Sequence, residues 1–390
     1  MGKKEVLVIG GGIAGISFAK AIKSSENLNV TVVTKDPFYI SGPSRPLLLT
    51  NEQSYHRIIR GYEEVGQSGI NVVFGLVSSI DPGERVVKIS ENPTKHSAKR
   101  EIKYDYLAIA PGVVFDGSKI EGYQKYWWKN SNVYEPGRVD VLKRKLWTQE
   151  KGVAVVYAPK SPYRCAPAPA ETAFAIHTVL SHRGKRGNFR IIHIDGNEKV
   201  QPPLLHDIIK ERYEKAGIEL ITNKEIVGIG ESEVILNDGE KVPYTLLAML
   251  EPNRAPAFIK EAGLGEAWVE VRDPKDLRTP KYDDIYAFGD AAKLPFPKNQ
   301  EIAYESSIFA ANKLLEEVGG EAYSITYSFV GWAYVGNLEG ELRTESLQFG
   351  LNFNTSPPKG SKDATPKNDY TSQKDSWEQS YLNRLYHSAI

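Results

Sequence analysis

The stretch that most constrains this chain is EVLVIGGGIAGISFAK, residues 5–20. Residues 6–9 (VLVI) form a short apolar, β-branched run that predicts a buried strand. Gly10, Gly12 and Gly15 follow at GxGxxG spacing, and residues 13–22 continue with helical periodicity. The three glycines allow a tight turn, close approach of backbone to a pyrophosphate, and close packing of helix on strand. The helix start then offers free N–H groups and a partial positive charge. A second strand over 29–34 completes a βαβ unit. On this reading Gly10, Gly12, Ala14 and Gly15 face a dinucleotide, and Thr34 and Lys35 meet its ribose where a carboxylate is usual.

Charge excludes some classes. Lys plus Arg and Asp plus Glu both number 49, so nothing points to nucleic acid. No apolar run approaches the ~18 residues of a spanning helix. No signal-peptide pattern precedes the first strand, and a cytoplasmic protein is the expectation. The one cysteine excludes an intramolecular disulfide and a Cys-based zinc site, and the seven histidines show no metal-ligand spacing. His177 and His193 read as structural.

The segment 38–49 (FYISGPSRPLLL) reads as a loop whose Arg45 faces either a phosphate or flavin, or the solvent. Residues 70–76 predict a strand with Val77 at its end, against adenine. A hairpin-like stretch (85–89, 101–103) leads into YDYLAIAPG, 104–112, closed by Ala110, Pro111 and Gly112. That run resembles the end of the first flavin segment of flavoproteins with two dinucleotide domains. Residues 279–290 (TPKYDDIYAFGD) resemble their second flavin motif, where Gly289 and Asp290 would meet the ribityl chain. Together the three segments imply FAD.

Between them, residues 152–195 have the strand, helix and strand of a second nucleotide-binding unit. In place of a glycine motif stands APKSPYRCAPAPAE, 158–171. Pro159, Pro162, Pro167 and Pro169 remove N–H donors, and Tyr163 and Arg164 fill the pyrophosphate's place, so NAD(P)H is not expected to bind. The loop offers Cys165 instead. A helix start and adjacent Arg164 predict a thiolate with a pKa below the ordinary value of about 8.5. Glu171 lies in the first turn of that helix, where a carboxylate is stabilised.

The stretch YRCAPAPAE resembles the active-site loop of flavocytochrome c sulfide dehydrogenase and of sulfide:quinone oxidoreductases, and the likeness extends over 250–264 (LEPNRAPAFIKEAGL), 279–290 and Lys298 in FPK. The resemblance implies an α/β fold of two Rossmann-like, glutathione-reductase-like dinucleotide-binding domains plus a C-terminal domain. The expected spans are 1–112 with 246–320 for FAD, 113–245 for the degenerate second domain with the Cys loop, and 321–390 for the C-terminal unit. It further implies a flavin-dependent oxidoreductase of sulfur metabolism. Sulfide or a related compound would react on Cys165, Glu171 would accept the proton, and Lys298 would stabilise reduced flavin. Electrons would pass to a quinone or protein carrier, with Phe329, Trp332 and Tyr334 lining the exit.

Two departures from the family matter. Its second redox cysteine is missing from SITYSFVGWAYVGN, 324–337, and Ser41 lies near the place of the cysteine that attaches flavin covalently, so non-covalent FAD is expected. A type II NADH dehydrogenase-like enzyme and a non-catalytic flavin-binding subunit remain as alternatives. Residues 354–376, rich in Pro, Ser and Lys, read as a loop or linker. Trp377, Tyr381, Leu382, Leu385 and Tyr386 then share a helical face. Three roles for that face stay open: packing on its own subunit, packing on a partner in a homo-oligomer, and peripheral contact with a membrane.

Overall fold

The computed structural model describes residues 2–90 and 99–387. Residues 1, 91–98 and 388–390, which fall within the expected domain spans, lie outside the described residues.

Two parallel five-stranded sheets dominate. The first takes β1 (Lys4–Ile9), β2 (Leu28–Thr34), β3 (Asn71–Phe74), β4 (Tyr106–Ile109) and, late in the chain, Ile285–Ala287. Its order is Ile285–Ala287, β4, β1, β2, β3, with Val8 level with Val32 on one side and Ala108 on the other. Both faces are covered, which is why the strands read as continuous apolar runs. Helix α1 (Ile13–Ile22) buries nine of its ten residues on this sheet. Phe18 stacks on Phe288 with centroids 5.0 Å apart. Gly15 is required there, because a Cβ would lie 1.9 Å from the Gly10 carbonyl oxygen.

The second sheet is built from β5 (Asn130–Ser131), β6 (Gly152–Ala158), β7 (Phe189–Asp195), β8 (Ile218–Thr222) and β9 (Leu246–Met249), in the order β5, β9, β6, β7, β8. Strand β9 corrects the expected boundary at 246. Fully buried, it pairs with β6, so Val155 is level with Leu247, and belongs to the second sheet rather than the first. Helix α2 (Ala168–His182) leaves the end of β6 through the proline-rich loop. Val77 departs from expectation in the same way. Strand β3 stops at Phe74, and Val77 belongs to a separate strand, Leu76–Asp81, paired with Val86–Ser90.

Within α2, His177 accepts a hydrogen bond from Arg186 Nε at 3.0 Å. Burial, then the Arg186 charge, pushes its pKa down to about 4. The unfolded chain takes up this proton near pH 6.5, so His177 withholds no stability above that pH. Below it, stability falls until about pH 4, by up to about 1.4 kcal/mol per pH unit. His193 shifts in the same direction, to about 3, but Asp195, 3.8 Å away and raised to about 6, opposes it. His177→Gln, which keeps an acceptor for Arg186, is therefore expected to flatten the loss of thermal midpoint between pH 7 and pH 5. An unchanged slope would assign acid sensitivity elsewhere.

After β10 (Ile285–Ala287) and α3 (Gln300–Val318), the chain forms an antiparallel sheet of β11 (Ser328–Gly336), β12 (Glu345–Asn352) and β13 (Lys359–Lys367). It ends in α4 (Asn368–Tyr386). The expected linker over 354–376 is corrected here. Residues 359–367 are an edge strand held through its backbone by β12, with mostly exposed side chains, so polar composition is no obstacle. The apolar face of α4 is spent on the chain itself. Tyr381, Leu382, Leu385 and Tyr386 are buried in the core around α1, which leaves them no free face for a bilayer. Among the described residues no helix is long and apolar enough to cross a membrane.

Candidate functional site

The carboxyl ends of β1, β4 and β6 open into one cavity of about 1390 Å³, closed on its far side by the C-terminal sheet and α4. This is larger than the roughly 300–1,000 Å³ of an ordinary small-molecule pocket. At one end lies the glycine turn. Gly10 has a φ of +113°, and a Cβ on it would lie 2.1 Å from the Ala110 carbonyl oxygen. A Cβ on Gly12 meets nothing nearer than 4.0 Å. Helix α1 has no side-chain cap and no acidic residue in its first turn, so its N–H groups face the cavity unopposed. This cradle fits a pyrophosphate. Ala14, Thr34, Lys35, Val77, Ala110, Pro111 and Gly112 line the same cavity. Thr34 Oγ1 makes only long contacts, 3.4 Å to the Asp36 carbonyl and 3.5 Å to the Tyr62 hydroxyl. It has capacity left for a ribose hydroxyl.

Arg45 does not lie on the surface; it is buried and lines the cavity. Its guanidinium donates to the carbonyls of Ser41 (2.8 Å), Ile40 and Tyr134. Three of its five N–H donors are used in this way, so it staples the loop that walls the cavity. Ser41 beside it is fully buried.

The loop after β6 crosses the middle of the cavity. The Cys165 N–H donates to the Lys298 carbonyl at 2.7 Å, and its own carbonyl accepts from Ala168 N–H at 3.0 Å. The residue sits in the left-handed region, φ +58°, a backbone conformation that costs a non-glycine residue free energy and tends to mark a working site. Arg164 does not activate the thiol as its sequence position suggested. Its Nε donates to Asp290 at 2.9 Å, turning the charge toward the second flavin segment. Burial, reinforced by the Glu171 carboxylate, pushes the Cys165 thiol up to about 12. The expected low-pKa thiolate is thus corrected: at neutral pH Cys165 is a protonated thiol that needs a base.

Glu171 lies within the same group, fully buried on the first turns of α2. Lys298 is also buried. Its Nζ donates to the carbonyls of Asp290 (2.7 Å) and Ala292 (3.1 Å) and lies 3.8 Å from the Trp268 ring centroid, and burial lowers it to about 8. Gly289, φ +69°, donates its N–H to Ser306 Oγ at 3.0 Å. At the other end of the cavity stand Phe329, Trp332, Phe349, Phe353 and Trp377, with Gln300. The Gln300 amide and the Trp332 indole N–H have no partner there. Tyr334 is buried behind this wall, not on it.

The hydroxyls of Tyr62 and Tyr386 both donate to the Gly11 carbonyl at 2.9 Å, and Lys374 reaches the cavity from α4. No local motif marks these three for the site; Tyr386 reads in the sequence only as part of an apolar helical face.

Where a second dinucleotide would bind, the loop has folded onto the sheet. A Cβ on Gly196 would lie 2.7 Å from the Lys160 nitrogen. Asp195, in the position of a ribose-binding carboxylate, is fully buried and accepts both Asn197 N–H and Asn197 Nδ2 at 2.8 Å.

Two dinucleotide-type sheets sharing one cavity, with a cysteine loop across it, define a two-domain FAD-binding flavoprotein. The family model for "Pyridine nucleotide-disulphide oxidoreductase" matches residues 4–156. That for "Sulfide dehydrogenase [flavocytochrome c] flavoprotein chain, central" matches residues 139–245. A mitochondrial sulfide:quinone oxidoreductase of Mus musculus is 28% identical over 325 residues, 78% of this chain and 69% of that protein. The crystal structure of the sulfide:quinone oxidoreductase of Aquifex aeolicus superposes with a TM-score of 0.83 at 18% identity, covering 98% of this chain and 91% of that one. The NDH2 structure of Plasmodium falciparum shares the fold at a TM-score of 0.73 and 14% identity, covering 99% of both chains. The two family models together span residues 4–245, and the chain is similar in sequence and in fold to the sulfide:quinone oxidoreductases.

Proposed function

We propose that this chain is an FAD-dependent oxidoreductase that oxidises sulfide, or a related reduced sulfur compound, on Cys165 and passes the electrons to a quinone. The observation that carries the reading is the single cavity running from the glycine cradle, past Cys165, to an aromatic chamber. FAD held there supplies a two-electron acceptor. Gly10, Gly12 and Ala14 would hold its pyrophosphate, Gly15 would let the helix pack closely behind them, and Thr34 and Lys35 would meet its adenosine ribose. Ala110, Pro111, Gly112, Gly289 and Asp290 hold the flavin side, and Lys298 places a positive charge beside it. Val77 contributes wall rather than a strand end. Cys165 gives up its thiol proton to Glu171, and forming the S–S bond between its thiolate and the hydrosulfide sulfur would release two electrons, for which bound FAD would be the acceptor. With no second cysteine in the chain, that sulfur leaves to an incoming nucleophile such as another sulfide. The aromatic chamber suits a flat apolar ring, and the unpartnered Gln300 amide and Trp332 N–H suit its carbonyl groups.

An NADH dehydrogenase reading shares the fold but lacks a seat for NADH, given the folded loop and the buried Asp195. Anaerobic mixing separates the readings. Sulfide should bleach the flavin and added quinone restore it, while NADH or NADPH should act at least about a hundredfold more slowly. Rapid bleaching by NADH would overturn the sulfide assignment, and inertness toward both would leave a non-catalytic flavin-binding subunit.

A further inference from the structure

The C-terminal helix brings two more ionisable groups to the sulfur site. Glu171 Oε1 accepts from Lys374 Nζ at 2.7 Å and from the Tyr334 N–H at 3.0 Å, while Oε2 has no partner. The ion pair is out of water, with side chains 0% and 5% exposed. Lys374 Nζ also lies 3.5 Å from the Tyr334 ring centroid. One turn on, on the same face of α4, Glu378 is fully buried and neither carboxylate oxygen makes a hydrogen bond of ordinary geometry. A buried carboxyl held only by loose contacts is costly for structure alone.

The surroundings of both acids are defined. Cys165, Tyr134, Tyr334 and Lys374 surround Glu171. Facing Glu378 are Lys374 of its own helix, Arg60 and Tyr39 of the first domain, and Tyr334 of the C-terminal sheet. The hydroxyls of Ser41 and Ser44 lie at its carboxyl. Ser44 Oγ in turn accepts from Gln53 Nε2 at 3.0 Å, and the same amide donates to Asp375 at 3.4 Å, which pairs with Arg57 at 2.6 Å.

We propose that Lys374 and Glu378 are positioning residues that draw the thiol proton of Cys165 away from the sulfur site and onto the C-terminal helix. The proposal rests on Cys165 being the sulfur nucleophile. As the S–H bond breaks, its proton passes to the free Oε2 of Glu171, which Lys374 has kept ionised. Glu378, ionised before the step, takes a proton from Lys374, and Lys374 recovers one from Glu171. No electrons move, and the proton lost by the thiol ends on Glu378. Burial raises both Glu171 and Glu378 above the usual carboxylate range, and Lys374 opposes the rise in each. Loss of Lys374 therefore leaves Glu171 protonated to higher pH.

The test is stopped-flow reduction of the holoenzyme by sulfide across a pH series in H₂O and D₂O. Glu378→Gln, which keeps shape, should slow reduction about tenfold and enlarge the solvent isotope effect. Lys374→Met should move the acidic limb of the rate profile to higher pH, and Lys374→Arg should restore it. Independently of turnover, infrared spectra of Lys374→Met at neutral pH should gain a protonated-carboxyl band that Glu171→Gln removes in the double variant. If Glu378→Gln and Lys374→Met keep the parent's pH profile and isotope effect while Cys165→Ser abolishes reduction, the relay is wrong and the site assignment stands. If Cys165→Ser reduces as fast as the parent, the site assignment fails and the relay with it.

Discussion

Cys165→Ser is expected to lower the rate of flavin reduction by sulfide by about a thousandfold or more while FAD stays bound. Serine keeps the size of the side chain and the left-handed backbone, and the Cys165 N–H bond to the Lys298 carbonyl is indifferent to the side chain. Only the nucleophilic sulfur is lost. Because the chain has no other thiol, no second cysteine can take over the role. Glu171→Gln should cost less, about a hundredfold, because it removes the base and leaves the sulfur. A thiol pushed up to about 12 makes that base necessary at neutral pH. A long-wavelength thiolate–flavin absorbance should accordingly grow only toward alkaline pH, and Cys165→Ser should lack it throughout. Parent-like reduction in Cys165→Ser would show that sulfide reacts without the cysteine.

The thiol marks the limit of what the sequence could reveal. The glycine turn was legible because its chemistry is local: positions 10, 12 and 15 sit on one turn, and backbone geometry alone dictates glycine at 10 and 15. The strands at 4–9, 28–34, 152–158 and 189–195 were legible because parallel strands buried on both faces are unbroken apolar runs. Arg164 misled because adjacency in sequence says nothing about where a long side chain goes; it spans to Asp290, 126 positions away. Lys374 and Tyr386 were hidden because their partners Glu171 and Gly11 lie 203 and 375 positions off. The edge strand 359–367 was hidden because a strand paired on one side through its backbone leaves no apolar alternation to read.

Glu251 was likewise silent in the sequence, and its loss is expected to have the largest effect on stability. Its fully buried carboxylate follows β9 and collects four donors. Tyr123 Oη, Asn130 Nδ2 and Arg138 meet Oε1 at 2.7, 2.7 and 2.6 Å, and Asn132 Nδ2 meets Oε2 at 2.7 Å. Asn130 also accepts the Met249 N–H through its Oδ1 at 2.9 Å, so the carboxylate fixes β5 on β9. Its backbone reaches the reactive loop as well: the Glu251 carbonyl accepts from Asn253 Nδ2, and Asn253 Oδ1 accepts the Arg164 N–H, both at 2.8 Å. Glu251→Ala leaves four buried or part-buried donors without an acceptor and Arg138 with only Glu135 as counter-ion. The expected cost is about 3–5 kcal/mol in denaturant unfolding. Glu251→Gln keeps one acceptor oxygen and most of the shape, and should cost about 1–3 kcal/mol. Loosening of the loop should also slow sulfide-driven flavin reduction in the alanine variant, although residue 251 lies outside the cavity wall. A loss below about 1 kcal/mol for Glu251→Ala would mean that water replaces the carboxylate and that the junction of the two strands is held by packing alone.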